Sequence, residues 1–371
     1  MRIIIDGRPL IKPLTGVGNV LLCFLKELEK YKDIELYILL PQEIDKSISI
    51  KETNNIHLII CPLWGIKNIP RALWFLVKVP IMLRKIKADL LFSAITSIPF
   101  FIPSNIKTLI IVHDVVNLEY TQTMTWKNYL FNKLVFKHGI EKTDFLWANS
   151  QYTKNKIKEY FPKRKSKDIF VGCSVDRNIF YKINLTNQQK EELKHKYNIS
   201  NKFILFVGSL EPRKNLSFLL KLMPQLSEYN IQLLVVGGNG WKNSDLKEVI
   251  ETSEAIKKAT IFTGYINNEE LVKLYNIADC YVSTSINEGF GMPQLEAMLC
   301  GCPVVTSHNS AMIEVVGDKG ITVKGWDKDT WIKAILKGVN EPHKQYDLKE
   351  YDWEIITSKL LKSINYHQRD L

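Results

Sequence analysis

The sequence predicts an α/β protein of two doubly wound domains, each built on a mostly parallel sheet. Three observations carry this: short apolar runs ending in polar residues, helix-spaced segments between them, and a restart of the alternation near residue 200. At 371 residues the chain exceeds one ordinary core and suits two of somewhat under 200 residues each.

Taken in order, Arg2 to Ile5 reads as the first strand, followed by a loop containing Thr15-Gly16-Val17-Gly18. A helix is expected from about Asn19 to Glu29, with Val20, Phe24 and Leu28 on one face. Glu35 to Leu40, His57 to Cys61, Leu90 to Ser93, Leu109 to Val112, Phe145 to Ala148 and Ile169 to Val171 continue the strands. Ser150 is suited to cap the helix that follows it. Periodicity lapses between residues 172 and 200, which places a hinge near Cys173 to Ile183 and domains at 1–175, 176–350 and a terminal segment at 351–371. The alternation then resumes with Phe203 to Val207, a helix from Leu216 to Leu226, and strands at Gln232 to Val236 and Thr260 to Phe262. A helix from Asn268 to Ile277 and strands at Cys280 to Ser283 and Val304 to Thr306 complete it. Doubly wound domains bind ligands at the carboxyl ends of their strands, and the two are expected to face each other across a central cleft.

Composition narrows the class. Hydrophobic residues make up 46% and charged residues 24%, as in a soluble globular protein. Asp6 and Arg8 interrupt the opening apolar run before it could act as a signal peptide, and no apolar stretch reaches about 18 residues. The six cysteines are scattered through apolar segments, and Cys300 and Cys302 lack the second pair or flanking His of a zinc site. Reduced core cysteines in a cytoplasmic protein are expected. The net charge of +11 is confined to residues 1–175, which hold 26 Lys and Arg against 15 Asp and Glu. That asymmetry suggests an anionic partner: a membrane surface, a phosphorylated acceptor or a nucleic acid.

The chemistry concentrates at residues 285–305. Gly289 and Gly291 precede a helix expected from Pro293, so backbone N–H groups at its start can meet an anion such as a diphosphate. Glu288 precedes this loop and Glu296 lies one turn into the helix, two carboxylates bracketing a phosphate-binding element. Arg213 and Lys214 occupy a loop between a strand and a helix, where they can neutralise two phosphates.

Glu288 and Glu296, with Gly289-Phe290-Gly291-Met292-Pro293 between them and Ala297-Met298-x-x-Gly301-x-Pro303-Val304 after, resemble the signature of the family-four retaining glycosyltransferases. Val207 to Asn215, Val112-His113-Asp114, Asn149 to Lys154, Phe262 to Tyr265 and Tyr351 to Glu354 extend the resemblance over most of the chain. It implies a GT-B fold whose last helix returns to the first domain, and transfer of a sugar from a nucleotide diphosphate donor with retention of configuration. It further implies that Glu288 and His113 contact the transferred sugar, Glu296 the ribose, Arg213 and Lys214 the diphosphate, and Gly16 a donor phosphate. Gly289, Phe290, Gly291, Met292 and the Tyr265 loop complete the expected donor site; the resemblance leaves Asp114 open between a donor contact and a turn cap. No D-x-D sequence stands where a nucleotide-sugar metal is needed, so no metal or other cofactor is expected.

The loop Ser209 to Asn215 resembles bacterial mannosyltransferases of polysaccharide assembly, which favours GDP-mannose, with UDP-sugars and dTDP-rhamnose as alternatives. For the acceptor, residues 61–87 interleave tryptophans and aliphatics with Arg71, Lys78, Arg84, Lys85 and Lys87. Such a segment suits either an anionic bilayer surface or a core helix with solvated lysines. A lipid-linked or oligosaccharide acceptor is expected, at the inner face of the cytoplasmic membrane. Nucleic acid is not, because no helix-turn-helix, RNA-recognition or zinc-finger pattern is present.

Overall fold

The computed structural model describes residues 1–63, 70–115, 126–164, 169–238, 244–251 and 253–366, with backbone alone for 126–133, 244, 245 and 247. The chain forms two compact units, Met1–Ser174 with Glu350–Leu371, and Val175–Lys349.

The first unit runs β1 (Arg2–Asp6), α1 (Gly16–Leu28), β2 (Glu35–Leu40), β3 (Ile56–Ile60), α2 (Arg71–Ile86), β4 (Leu90–Ser93), β5 (Lys107–Val112), α3 (Trp126–Lys142), β6 (Phe145–Ala148), α4 (Gln151–Tyr160) and β7 (Ile169–Val171). The second runs α5 (Asn187–Lys196), β8 (Lys202–Val207), α6 (Leu216–Leu220), α7 (Met223–Glu228), β9 (Ile231–Val236), α8 (Ser244–Glu251), α9 (Glu254–Ala259), β10 (Thr260–Gly264), α10 (Asn268–Ile277), β11 (Cys280–Ser283), α11 (Met292–Leu299), β12 (Val304–Ser307), α12 (Met312–Val316), β13 (Ile321–Val323) and α13 (Lys328–Val339). A last helix, α14 (Trp353–Ser363), rejoins the first unit.

Every strand pair is parallel, in orders β3-β2-β1-β4-β5-β6-β7 and β10-β9-β8-β11-β12-β13. Each order reverses once, at β1/β4 and at β8/β11, the switch points where doubly wound sheets open a crevice at their carboxyl ends. The six cysteines are buried thiols. In the first unit, fully buried Trp147 meets Phe24 edge-on at 5.0 Å and Trp353 of α14 at 6.2 Å, and donates its indole N–H to the Gly172 carbonyl. At the end of β1 the buried Asp6 accepts from Arg8 Nε and Nη2 and from Ser93 Oγ. The Ser93 hydroxyl ties β4 to β1 there, and Arg8 neutralises the buried carboxylate.

Three local expectations are corrected. Helix α1 begins at Gly16, so Thr15-Gly16-Val17-Gly18 is its first turn and not a loop. The helix expected from Leu216 to Leu226 is two, because Pro224 cannot donate and its ring would clash with the carbonyl of residue 220. The polar stretch at 172–200 hides α5, whose capping box pairs Gln189 N with Thr186 Oγ1 (3.2 Å) and Thr186 N with Gln189 Oε1 (2.9 Å). Only Leu193 of this helix is buried, so it has no apolar stripe to read. Helix α2 is the core alternative for the 61–87 segment: Trp74 and Phe75 are buried, and the Trp74 indole donates to Cys61 O at 2.8 Å. Trp64 lies outside the described residues. Ser150 does cap α4, accepting from Thr153 N at 3.0 Å. Among the described residues no helix is long and apolar enough to cross a membrane.

Strands β8 and β9 end in Gly208 and Gly237, at φ of 153° and 152°. A Cβ at Gly237 would lie 1.9 Å from the Gly208 carbonyl oxygen, backbone that cannot give. Gly237→Ala is therefore expected to destabilise the second unit by about 3 kcal/mol, combining strain and overpacking. A drop of the unfolding temperature of roughly 6–12 °C, measured by calorimetry, checks it.

Candidate functional site

The site is assembled on neighbouring strands β8 and β11, whose carboxyl ends lead into the segments 208–215 and 284–291. Bonds to the backbone carbonyls of residues 213–215 stitch these segments together. Ile286 N donates to Arg213 O at 2.7 Å, and Thr284 Oγ1 donates to Lys214 O (3.2 Å) and Asn215 O (3.0 Å). Asn215 holds a left-handed φ of 52°, a conformation asparagine tolerates, and so ends the short turn Pro212–Lys214 that presents both cations.

Arg213, Lys214 and Glu288, predicted as separate donor contacts, are brought into direct contact. Arg213 Nη1 reaches Glu288 Oε2 at 2.7 Å, Lys214 Nζ pairs with Oε1, and Ser285 Oγ donates to Oε1 at 2.8 Å. Arg213 Nε is held by Glu211 Oε2 at 2.8 Å, and the Glu288 N–H donates to Ser310 Oγ at 3.0 Å. The Lys214 and Glu288 side chains are each 9% exposed. Burial alone would raise the Glu288 pKa; the charges of Lys214 and Arg213 outweigh it and hold the carboxyl at about 2. Glu288 is thus a carboxylate at any physiological pH.

Helix α11 starts at Met292, one residue before the expected Pro293, after Gly291 at a φ of 105°. Phe290 is buried and anchors the glycine pair. On α11, Glu296 accepts from the Tyr275 hydroxyl of α10 at 2.9 Å. Burial pushes its pKa up to about 7, against the opposing Tyr275 hydrogen bond and Lys214 charge. The two carboxylates sit in opposite regimes, one always ionised and one poised near neutrality. Gln294, also on α11, is 1% exposed and donates to Ser283 Oγ at 3.1 Å, while its Oε1 has no partner.

Of the remaining predicted residues, Tyr265 belongs to the second unit and Gly16 and His113 to the first. Tyr265, beyond the end of β10, is 82% exposed. Gly16 is the exposed first residue of α1, and His113 follows β5 in the first unit. The His113 Nε2–H donates to Ala94 O at 3.0 Å, which fixes the tautomer, and burial lowers its pKa to about 4, so the ring is neutral. Its backbone carbonyl accepts from Asn149 Nδ2, one residue before the α4 cap. Sequence reasoning missed Tyr275, Ser285, Ser310 and Glu211. Glu211 stood within the recognised stretch Val207 to Asn215 and Ser285 at the start of the 285–305 segment, neither with a role; Tyr275 and Ser310 reach the site through strand order and helix packing.

The raised Glu296 pKa sets a pH signature. The folded carboxyl keeps its proton to about 7, whereas its ordinary value is 4.5, so stability is lost as pH rises through that window. Glu296→Gln lacks this loss. Thermal melts of the variant and the parent are expected to coincide most closely near pH 4.5 and to diverge in favour of the variant up to pH 8.

Comparison with known proteins follows the same division. Residues 14–177 match the family model described as Glycosyltransferase Family 4, and residues 188–353 match Glycosyl transferases group 1. The chain is similar to the O-antigen chain mannosyltransferase B of Escherichia coli, 25% identical over 98% of this chain and 99% of that one. It is also similar to the serotype-specific mannosyltransferase WbdA of Escherichia coli, 28% identical over 57% of this chain. The chain spans only about a quarter of WbdA, the match covering 26% of that protein. Among solved structures, sucrose-phosphate synthase from Thermosynechococcus elongatus superposes with a TM-score of 0.72 at 18% identity, covering 98% of each chain. Anabaena HepE, in complex with UDP and glucose, gives 0.72 at 16% identity over 98% of this chain and 99% of that one. These structural likenesses establish the GT-B fold. With both halves matched in order, the chain belongs to the glycosyltransferases of family four, a Glycosyltransferase Family 4 domain followed by a Glycosyl transferases group 1 domain.

Proposed function

We propose that the protein is a retaining hexosyltransferase that moves mannose from GDP-mannose to a glycan or lipid-linked acceptor in bacterial surface polysaccharide synthesis. The observation that carries this is the convergence of Arg213, Lys214, Glu288 and Glu296 at the β8/β11 switch point. In this reading Glu296 accepts the ribose hydroxyls, Arg213 and Lys214 neutralise the diphosphate, and Glu288 orients the hexose and stabilises charge on it. Gly16 and His113 retain the donor phosphate and sugar contacts that the resemblance assigns them; a neutral His113 can hydrogen-bond a sugar hydroxyl without adding charge. Lys214 offsets charge on the leaving diphosphate without a metal. The likeness to O-antigen and serotype-specific mannosyltransferases supports mannose.

The test is a thermal-shift screen of GDP, UDP and dTDP followed by transfer assays with the matching sugars in chelator. Stabilisation by GDP and chelator-resistant mannosyl transfer with an unchanged anomeric configuration are expected. Preference for UDP or dTDP, or activity abolished by chelation, overturns the donor or the metal-free reading.

For the acceptor, the basic excess of residues 1–175 supports a reaction at the cytoplasmic face of an anionic membrane. The exposed apolar side chains that support contact are Leu73 and Ile81 of α2, Phe101 (83% exposed), and Phe100, which lies 4.7 Å from the His138 ring of α3, near exposed Leu134, Lys137 and Lys142. Sedimentation with vesicles rich in anionic lipid is expected, with release at high salt and weakening by at least about threefold in Phe101→Ser. Equal binding to neutral vesicles, or no binding, overturns membrane attachment.

A further inference from the structure

The cations assigned to the diphosphate are already engaged. Glu288 Oε2 takes Arg213 Nη1 at 2.7 Å, and Oε1 takes Lys214 Nζ. A diphosphate that claims the same N–H groups must take them from a carboxylate whose side chain is 9% exposed. Glu288 would then keep Ser285 Oγ, at 2.8 Å, as its side-chain donor. A buried carboxylate with unfilled lone pairs is costly. A hexose on the diphosphate brings hydroxyl donors that refill them; a free nucleoside diphosphate brings only its ribose hydroxyls, which the donor site assigns to Glu296.

We propose that Glu288 is a specificity-determining residue: as the resident counter-ion of Arg213 and Lys214, it penalises free nucleoside diphosphate and so favours the nucleotide sugar over the product. The inference rests on the donor site proposed above. It gives Glu288 a second task besides contacting the sugar. The carboxylate occupies the phosphate ligands while the site is empty, holds both cations in place, and yields only to a ligand that offers it new partners. After transfer the hexose has left, Glu288 has only Ser285 and the cations to turn to, and its return to the cations helps expel the nucleotide. The backbone bond from Ile286 N to Arg213 O and the hydroxyl bond from Thr284 Oγ1 to Lys214 O keep the two loops together during this exchange, so only the side chains of Arg213, Lys214 and Glu288 need change partners.

Isothermal titration of the full chain and of Glu288→Gln with GDP, UDP, GDP-mannose and UDP-glucose tests this. In the variant, the nucleoside diphosphate that binds the parent is expected to bind about tenfold tighter or more, and its nucleotide sugar to gain much less. Equal or weaker binding of that diphosphate by Glu288→Gln overturns the inference and leaves the donor site standing. If none of the four nucleotides binds the parent, the donor site itself is overturned, and this inference with it. Ser285→Ala provides a second arm should Glu288→Gln fail to fold. Removing the donor that Glu288 keeps is expected to weaken the free diphosphate at least about threefold more than the nucleotide sugar; equal effects on the two overturn the inference.

Discussion

Glu288 can remain ionised in a buried position only because Lys214 and Arg213 stand against it, and neither cation is there by chance of rotamer. Both sit on a turn that begins with Pro212 and ends with Asn215 in the left-handed region, and that turn is pinned by Ile286 and Thr284 from the neighbouring loop. Remove the pinning and a lysine, an arginine and a glutamate would each seek water separately. The adjacency of β8 and β11 at the switch point makes the pinning available, so the charge cluster depends on strand order as much as on side-chain chemistry.

The same cluster explains why two glutamates with seven residues between them behave differently. Glu288 faces two cations and is held at about 2; Glu296 faces a tyrosine hydroxyl and a more distant lysine and rises to about 7. Burial acts on both in the same direction. Opposing charge decides the outcome, as sequence spacing could not reveal, because Tyr275 and Lys214 come from separate elements.

Much of the fold was legible because parallel strands buried on both faces are continuous apolar runs. Cys280 to Ser283 and Phe145 to Ala148 were readable to the residue for that reason. Legibility failed where burial is one-sided or slight. Helix α5 shows no apolar stripe and announces itself only through its capping box, and α1 begins with glycines that resemble a loop. Trp74 illustrates a different ambiguity: aromatic and basic residues alternate in the same way on a core helix with a solvated back as on a membrane-facing one. At the site, motif residues could be read, but the contacts among them could not. Glu288 was expected to meet a sugar and the cations to meet phosphates, with no hint that they meet one another.

The return of α14 to the first unit bears on how the polypeptide is made. Trp353 packs on Trp147, and Tyr366 reaches back to Asp33, so the first sheet acquires its last layer only after the whole of the second unit has left the ribosome. Residues 175–349 are bounded on both sides by segments of the first unit and can complete their own core without waiting for it. During synthesis, therefore, the amino-terminal unit emerges first and finishes last. Until α14 arrives, the apolar surface that later receives it, formed by α1 and the end of β6, stays uncovered.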